Sequence, residues 1–156
     1  MIDHALVVRP FAPADQAAAR SLILRGLAEH FGTLDATLNP DLDDIGAAYP
    51  AAGHVFVVAE VAGEAVGTGA LVAVAPGVGR LVRMSVAPPH RRRGIGRALV
   101  AHLVELARAR GDRRVHVETN DDWHDAVRLY QSCGFVEVAR AEGEVHLTLD
   151  LGSANR

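Results

Sequence analysis

The stretch LVRMSVAPPHRRRGIGRAL, residues 81–99, decides how this chain is read. It opens with a strand-like apolar run, LVRMSV, turns at two prolines, and passes through RRRGIG into a helix-like run, RALVAHLVELARAR. A strand, a short turn, two glycines and a helix start form a holder for phosphate. Glycines lack Cβ and let a ligand approach the backbone, and the first amides of a helix have no internal acceptor. The ligand this implies is a phosphorylated carrier.

Outward from that stretch, the periodicity of the apolar residues changes several times. The run 4–10, HALVVRP, is β-rich and ends at a proline, after which Pro13 suits the first turn of a helix with Asp15 near its positive end. Ala18, Leu22, Leu24, Leu27, Ala28 and Phe31 give that helix an approximate 3.6 period, and Gly32 stops it. A turn-rich stretch around Asn39 and Pro40 leads to one short helix before Pro50. HVFVVAEV, AVGTGALVAVA and GRLVRMSVA then read as three strands whose short turns favour antiparallel pairing. The helix after RRRGIG puts Leu99, Leu103, Leu106 and Ala107 on one face and ends at Gly111. RVHVET is a strand, residues 122–132 a helix capped by Asn120 or Asp121, and GFVEVARA and GEVHLTLDL a closing pair of strands. The order β, α, α, β, β, β, α, β, α, β, β, without repeat or linker, is a mixed α/β fold in one domain spanning 1–156.

Composition narrows the function classes. No run approaches the ~20 apolar residues of a membrane span, and no signal peptide is recognisable, so a cytoplasmic location is expected. Cys133 is the sole cysteine and is expected to be a buried, inert thiol, which rules out a disulfide within the chain. The eight histidines are scattered without a close-paired ligand pattern, and no metal is expected. All 16 basic residues are arginines, which excludes lysine Schiff-base chemistry. The net charge of −3 conceals an asymmetry: residues 1–79 carry −6, residues 80–114 carry +8 and residues 115–156 carry −5. A basic centre between acidic flanks fits an anionic small ligand, and no aromatic residue is interleaved among the central arginines to stack on nucleic-acid bases.

The order of elements, with RxxGxG after the fourth strand and a tyrosine-bearing helix after the fifth, resembles the GNAT superfamily of acyl-CoA-dependent N-acyltransferases. LVRMSVAPPHRRRGIGRAL corresponds to that family's motif A, and AVRLYQSCGF, residues 126–135, to its motif B. The resemblance implies a central, mostly antiparallel twisted sheet of about seven strands with four helices, in which strands four and five splay apart to admit the pantetheine arm of acetyl-CoA. It also implies that the backbone of Met84, Ser85 and Val86 pairs with the pantetheine like an added strand. The pyrophosphate would lie over Arg91, Arg92, Arg93, Gly94, Ile95, Gly96 and Arg97, held mainly by backbone amides. Asn120 would reach the pantetheine from strand five. Metal plays no part in this scheme.

Acyl transfer from a thioester to an amine needs a neutral amine, a stabilised oxyanion and a proton for the departing thiolate. The resemblance places Tyr130 as the acid and a backbone N–H near Met84 or Ser85 as the oxyanion donor. Its usual strand-four glutamate is replaced by Arg80, which cannot accept a proton near neutral pH. Glu118 and His116, on one face of strand five by alternation, are the next candidates for the base, directly or through a water. The segments that form the family's acceptor site contain Asp35, Asp41, Asp43, Asp44, Glu142 and Glu144, whose carboxylates would attract a cationic amine. The expected function is acetyl transfer from acetyl-CoA to a primary amine of a small molecule or peptide, without nucleic-acid or membrane partners. A homodimer is compatible with the small members of the family. A catalytically quiet acyl-CoA-binding module is the alternative that the missing glutamate permits.

Overall fold

The computed structural model describes residues 5–32 and 38–152. Its elements follow the expected order: β1 (Leu6–Pro10), α1 (Gln16–Phe31), α2 (Ile45–Ala48), β2 (Val55–Val61), β3 (Glu64–Ala75), β4 (Val78–Val86), α3 (Ile95–Ala109), β5 (Arg114–Asn120), α4 (His124–Ser132), β6 (Val136–Ala141) and β7 (Glu144–Asp150). The strands form a seven-stranded sheet in the order β1-β2-β3-β4-β5-β7-β6. β1 and β2, β5 and β7, and β6 and β7 pair antiparallel, whereas β4 and β5 run parallel. The parallel register extends from Val78 opposite Arg114 to Leu81 opposite Val117 and stops there, although β4 continues to Val86 and β5 to Asn120. The pairing ends in the part of β4 where the family resemblance implies that strands four and five splay apart.

Two compact units divide the chain, residues up to 70 with 83–99, and residues 71–82 with those from 100 onward. In the first, the run Val57, Val58 and Ala59 of β2 is fully buried, and Ala19, Leu42, Ile45 and Val66 are buried too. Phe56 meets Phe11 and Tyr49 through edge-on and tilted ring contacts at 5.5 and 5.2 Å. In the second, Leu71, Leu81, Val115, Val117, Val145 and Leu147 of the strands are buried, as are Leu103 and Ala107 of α3.

Helix α1 differs from its sequence-based reading in which face it buries. Ala19 and Ile23, one turn apart, and Leu24 are buried, whereas Ala18 is exposed and Phe31 is 56% exposed. Asp15 lies ahead of the helix, in a separate 3-10 turn, and anchors its start. Arg9 donates to its two oxygens at 2.7 and 2.9 Å, and the Ala12 amide donates at 2.8 Å. Helix α4 also starts later than expected, at His124, with Trp123 at the N-cap. Asn120 is instead the last residue of β5, opposite Glu144 on β7. Cys133, expected to be buried, is half-buried at the α4 C-cap, because its chain leaves the helix toward the surface through exposed Gly134.

Candidate functional site

In the first unit, β4 carries a left-handed residue inside a strand: Arg83 has φ 56°. This conformation costs a side-chain-bearing residue roughly 1–2 kcal/mol, so its surroundings must impose it. The Thr68 hydroxyl donates to the Arg83 carbonyl at 2.7 Å, and the Ser85 hydroxyl in turn donates to Thr68 Oγ1 at 2.7 Å. The Arg83 guanidinium grips Asp41 through Nε and Nη2 at 2.9 and 2.7 Å and reaches Asn39 Oδ1 at 3.1 Å. Tyr49 completes the cluster by donating its hydroxyl to Asp41 at 2.5 Å. Burial disfavours the Asp41 charge, but the hydrogen bonds from Arg83 and Tyr49 outweigh it and hold the carboxyl below its ordinary range. Burial and then Asp41 push the Tyr49 phenol up to about 12. Gln16 of α1 fixes the same segment by donating to the Leu42 carbonyl at 2.7 Å and accepting from the Ile45 amide at 3.0 Å.

Beyond the kink, Met84, Ser85 and Val86 complete β4, and a 3-10 turn over Pro88–His90 leads into the arginine loop. Arg91 spans this loop: its Nε donates to the Val86 carbonyl at 3.0 Å and its Nη1 pairs with Glu29 of α1. It therefore shapes the loop, and it takes up one acceptor site of a carbonyl that the sequence reading reserves for a ligand. Arg92 and Gly94 are both left-handed, with φ 63° and 83°, around exposed Arg93. Such alternation turns successive amides toward a common side. The Gly94 carbonyl accepts the first helical bond, from the Ala98 amide at 3.0 Å, so the amides of Ile95 and Gly96 precede the i−4 ladder. Arg97 is exposed on the first turn of α3.

In the second unit, the strand alternation expected for His116 and Glu118 is present, and a third residue joins them. Glu118 lies directly opposite His146 of β7, and His116 lies opposite Thr148. Glu118 Oε1 is 3.2 Å from His116 Nε2 and 3.4 Å from His146 Nδ1, while Arg80 of β4 donates to Oε2 at 2.9 Å. The imidazole rings are 5.5 Å apart. Thus the arginine that stands at the glutamate position holds the candidate base from the neighbouring strand. His146 was missed from sequence because it is distant along the chain, although its polar place in the alternating run GEVHLTLDL marks the same exposed face.

Tyr130 of α4 is buried, with its ring edge-on to Phe135 at 5.8 Å. Burial, and to a lesser degree the neighbouring Cys133 thiol, raises its pKa above the ordinary phenol value. The Asn120 carbonyl accepts from the Trp123 amide at 3.1 Å, and its side chain, relieved of the expected capping role, is half-buried at the end of β5.

Two members of the acidic cluster, Asp41 and Asp44, serve the architecture. Asp41 belongs to Arg83, Asp44 accepts from the Ala47 amide at 3.1 Å as the α2 N-cap, and Asp43 lies 3.7 Å from Arg20. Asp35 lies outside the described residues. Glu142 forms the β6–β7 turn with φ 57°, and Glu144 Oε1 is 4.0 Å from His146 Nε2. Among the described residues no helix is long and apolar enough to cross a membrane.

Residues 22–135 match the acetyltransferase (GNAT) family model. An uncharacterized N-acetyltransferase of Escherichia coli, YjgM, is 31% identical over 146 residues, covering 88% of this chain and 86% of its own length. Among solved structures, a GNAT-family acetyltransferase from Staphylococcus aureus superposes with a TM-score of 0.87 at 21% identity, covering 95% of this chain and all of its own. The Salmonella typhimurium protein yncA, solved with its cofactor acetyl-CoA, gives a TM-score of 0.79 at 20% identity, with 96% and 95% of the two chains covered.

Proposed function

Since the chain belongs to the acetyltransferase (GNAT) family, we propose that it moves an acetyl group from acetyl-CoA to a primary amine, of a small molecule or a peptide, by direct attack in a ternary complex. The single observation that carries the donor half of this reading is the kink of β4 at Arg83, beside the end of the β4–β5 register at Leu81. A strand that leaves its neighbour keeps polar backbone groups without ladder partners, which suits an extended amide-bearing chain such as pantetheine. The left-handed Arg92 and Gly94 and the helix start after them supply donors of the kind a pyrophosphate takes. The presence of acetyl-CoA in yncA supports the same donor here.

Three groups share the chemistry in this proposal. The amine nitrogen attacks the thioester carbonyl, and a backbone N–H of Met84 or Ser85 donates to the oxygen as it becomes an oxyanion. The amine proton passes to Glu118, directly or through water, with His116 beside it to share the hydrogen-bond network. The carbon–sulfur bond then breaks, and the thiolate takes the Tyr130 proton. Burial keeps Tyr130 protonated throughout the neutral range, so it enters each turnover as a donor.

A second reading, a quiet acyl-CoA-binding module, draws on Arg80, whose ion pair with Glu118 competes with base function. Thiol release from acetyl-CoA, measured against a panel of amines, separates the two. Amine-dependent release supports the enzyme, and tight CoA binding without such release favours the module.

A further inference from the structure

We propose that His116, Glu118 and His146 form a binding site for a borderline divalent cation, Zn2+ or its substitute Co2+, on the polar face of β5 and β7. One nitrogen from each imidazole and one carboxylate oxygen lie within 4.8 Å of one another. Two imidazoles and a carboxylate are a donor set that zinc accepts, with a fourth position left for water. Mg2+ and Ca2+ prefer shells made of oxygen and are poorly served by it.

The spacing is also compatible with coordination. Metal–ligand bonds of about 2.0–2.1 Å arranged tetrahedrally put the ligand atoms about 3.3 Å apart. Glu118 Oε1 lies 3.2 Å from His116 Nε2 and 3.4 Å from His146 Nδ1. A strong charge-assisted hydrogen bond would be shorter, about 2.7–2.9 Å. Both imidazoles converge on the same oxygen, Oε1, because Arg80 occupies Oε2 at 2.9 Å. Arg80 thereby orients the carboxylate from its far side, as outer-shell hydrogen bonds do for metal ligands. It also cancels the Glu118 charge, so the affinity comes from the two nitrogen lone pairs rather than from net charge.

The strand register brings these donors to one face of the sheet. Glu118 and His146 are cross-strand partners in a regular antiparallel register, and His116 sits two residues along on the same face. Side-chain exposures of 22, 23 and 26% for His116, Glu118 and His146 leave a path from solvent.

The site also deepens the catalytic reading of Glu118 and in that respect rests on it: a cation on Oε1 would occupy the oxygen proposed to receive the amine proton. Binding is measured independently of acetyl transfer, by calorimetric titration of untagged, metal-free protein with Zn2+ and by the visible absorption spectrum with Co2+. Mg2+ serves as the control. We expect stoichiometric Zn2+ binding, a Co2+ spectrum of nitrogen-ligated, low-coordinate form, and at least a tenfold loss of affinity in His146→Ala and His116→Ala. Circular dichroism checks the variants, and His146→Gln and His116→Gln replace any that fails to fold. Equal Zn2+ affinity in wild type and variants, binding no tighter than that of Mg2+, or a purely aquo-like Co2+ spectrum would overturn the site. Zn2+ binding without inhibition of acetyl transfer would leave the site standing and remove Glu118 from the proposed mechanism.

Discussion

Arg83 and Asp41 are held together by two hydrogen bonds, at 2.9 and 2.7 Å, and Arg83 is the residue at which β4 becomes left-handed. Backbone strain at the proposed donor site is thus offset by an ion pair from a segment far away in sequence. Asp41→Ala leaves a half-buried guanidinium without its carboxylate and should destabilise the protein by about 1–3 kcal/mol, read from chemical denaturation. The same variant should weaken CoA binding, because the kink loses its brace. Asp41→Ala with wild-type stability and CoA affinity would show that Thr68 and Ser85 hold the kink alone.

Stability should fall at both ends of the pH scale through this one cluster. The Asp41 carboxyl is held below its ordinary value, so its contribution is full above the unfolded pKa, about 3.9, and is lost as pH falls through the lower folded value. Tyr49 titrates at about 12 when folded, against about 10 unfolded. Its contribution is therefore full below about 10 and disappears as pH rises toward 12. Thermal melts across pH should show both slopes, with Tyr49→Phe flattening the alkaline one and Asp41→Asn the acid one.

Tyr130→Phe should lower kcat by roughly 10²-fold with little change in the KM for acetyl-CoA. Because burial raises the Tyr130 pKa, the alkaline limb of the wild-type kcat profile should not show a tyrosine titrating near its ordinary value. Unchanged kcat, in a regime where single-turnover rates show that chemistry is limiting, would assign Tyr130 to packing against Phe135.

Glycines in the loop should separate conformation from contact. Gly94 is left-handed and a Cβ there would meet nothing within 4 Å, so Gly94→Ala carries only a backbone penalty of about 1–2 kcal/mol. Gly96 is helical, and Gly96→Val should mainly raise the KM for acetyl-CoA by bringing bulk to the helix-start amides. CoA affinity unaffected by Gly96→Val, measured by calorimetry, would contradict the phosphate-loop reading.

The alternation and the punctuation of the sequence carry most of the fold. Gly32 and Gly111 end helices where expected, and LVRMSVAPPHRRRGIGRAL becomes the anticipated strand, turn and helix. Long-range pairing could not be read in the same way. The run NPDLDD looks like an acidic, substrate-facing loop until Arg83 is seen to engage Asp41, and no local pattern joins residues 42 positions apart. His146 escapes for the same reason, since the β5–β7 register that sets it opposite Glu118 is decided by the closing of the sheet. Asn120 looks like a cap because its residue type suits a helix start, yet the helix begins four residues later and the strand claims Asn120 instead.

The cationic braces of this framework, Arg9 on Asp15, Arg80 on Glu118, Arg83 on Asp41 and Arg91 on Glu29, are all guanidinium groups. A guanidinium stays protonated and offers no lone pair to an activated thioester, unlike the amine of a lysine. A protein proposed to hold acetyl-CoA at such braces therefore exposes none of them to acylation by its own donor. Those four side chains would stay inert toward an acyl thioester.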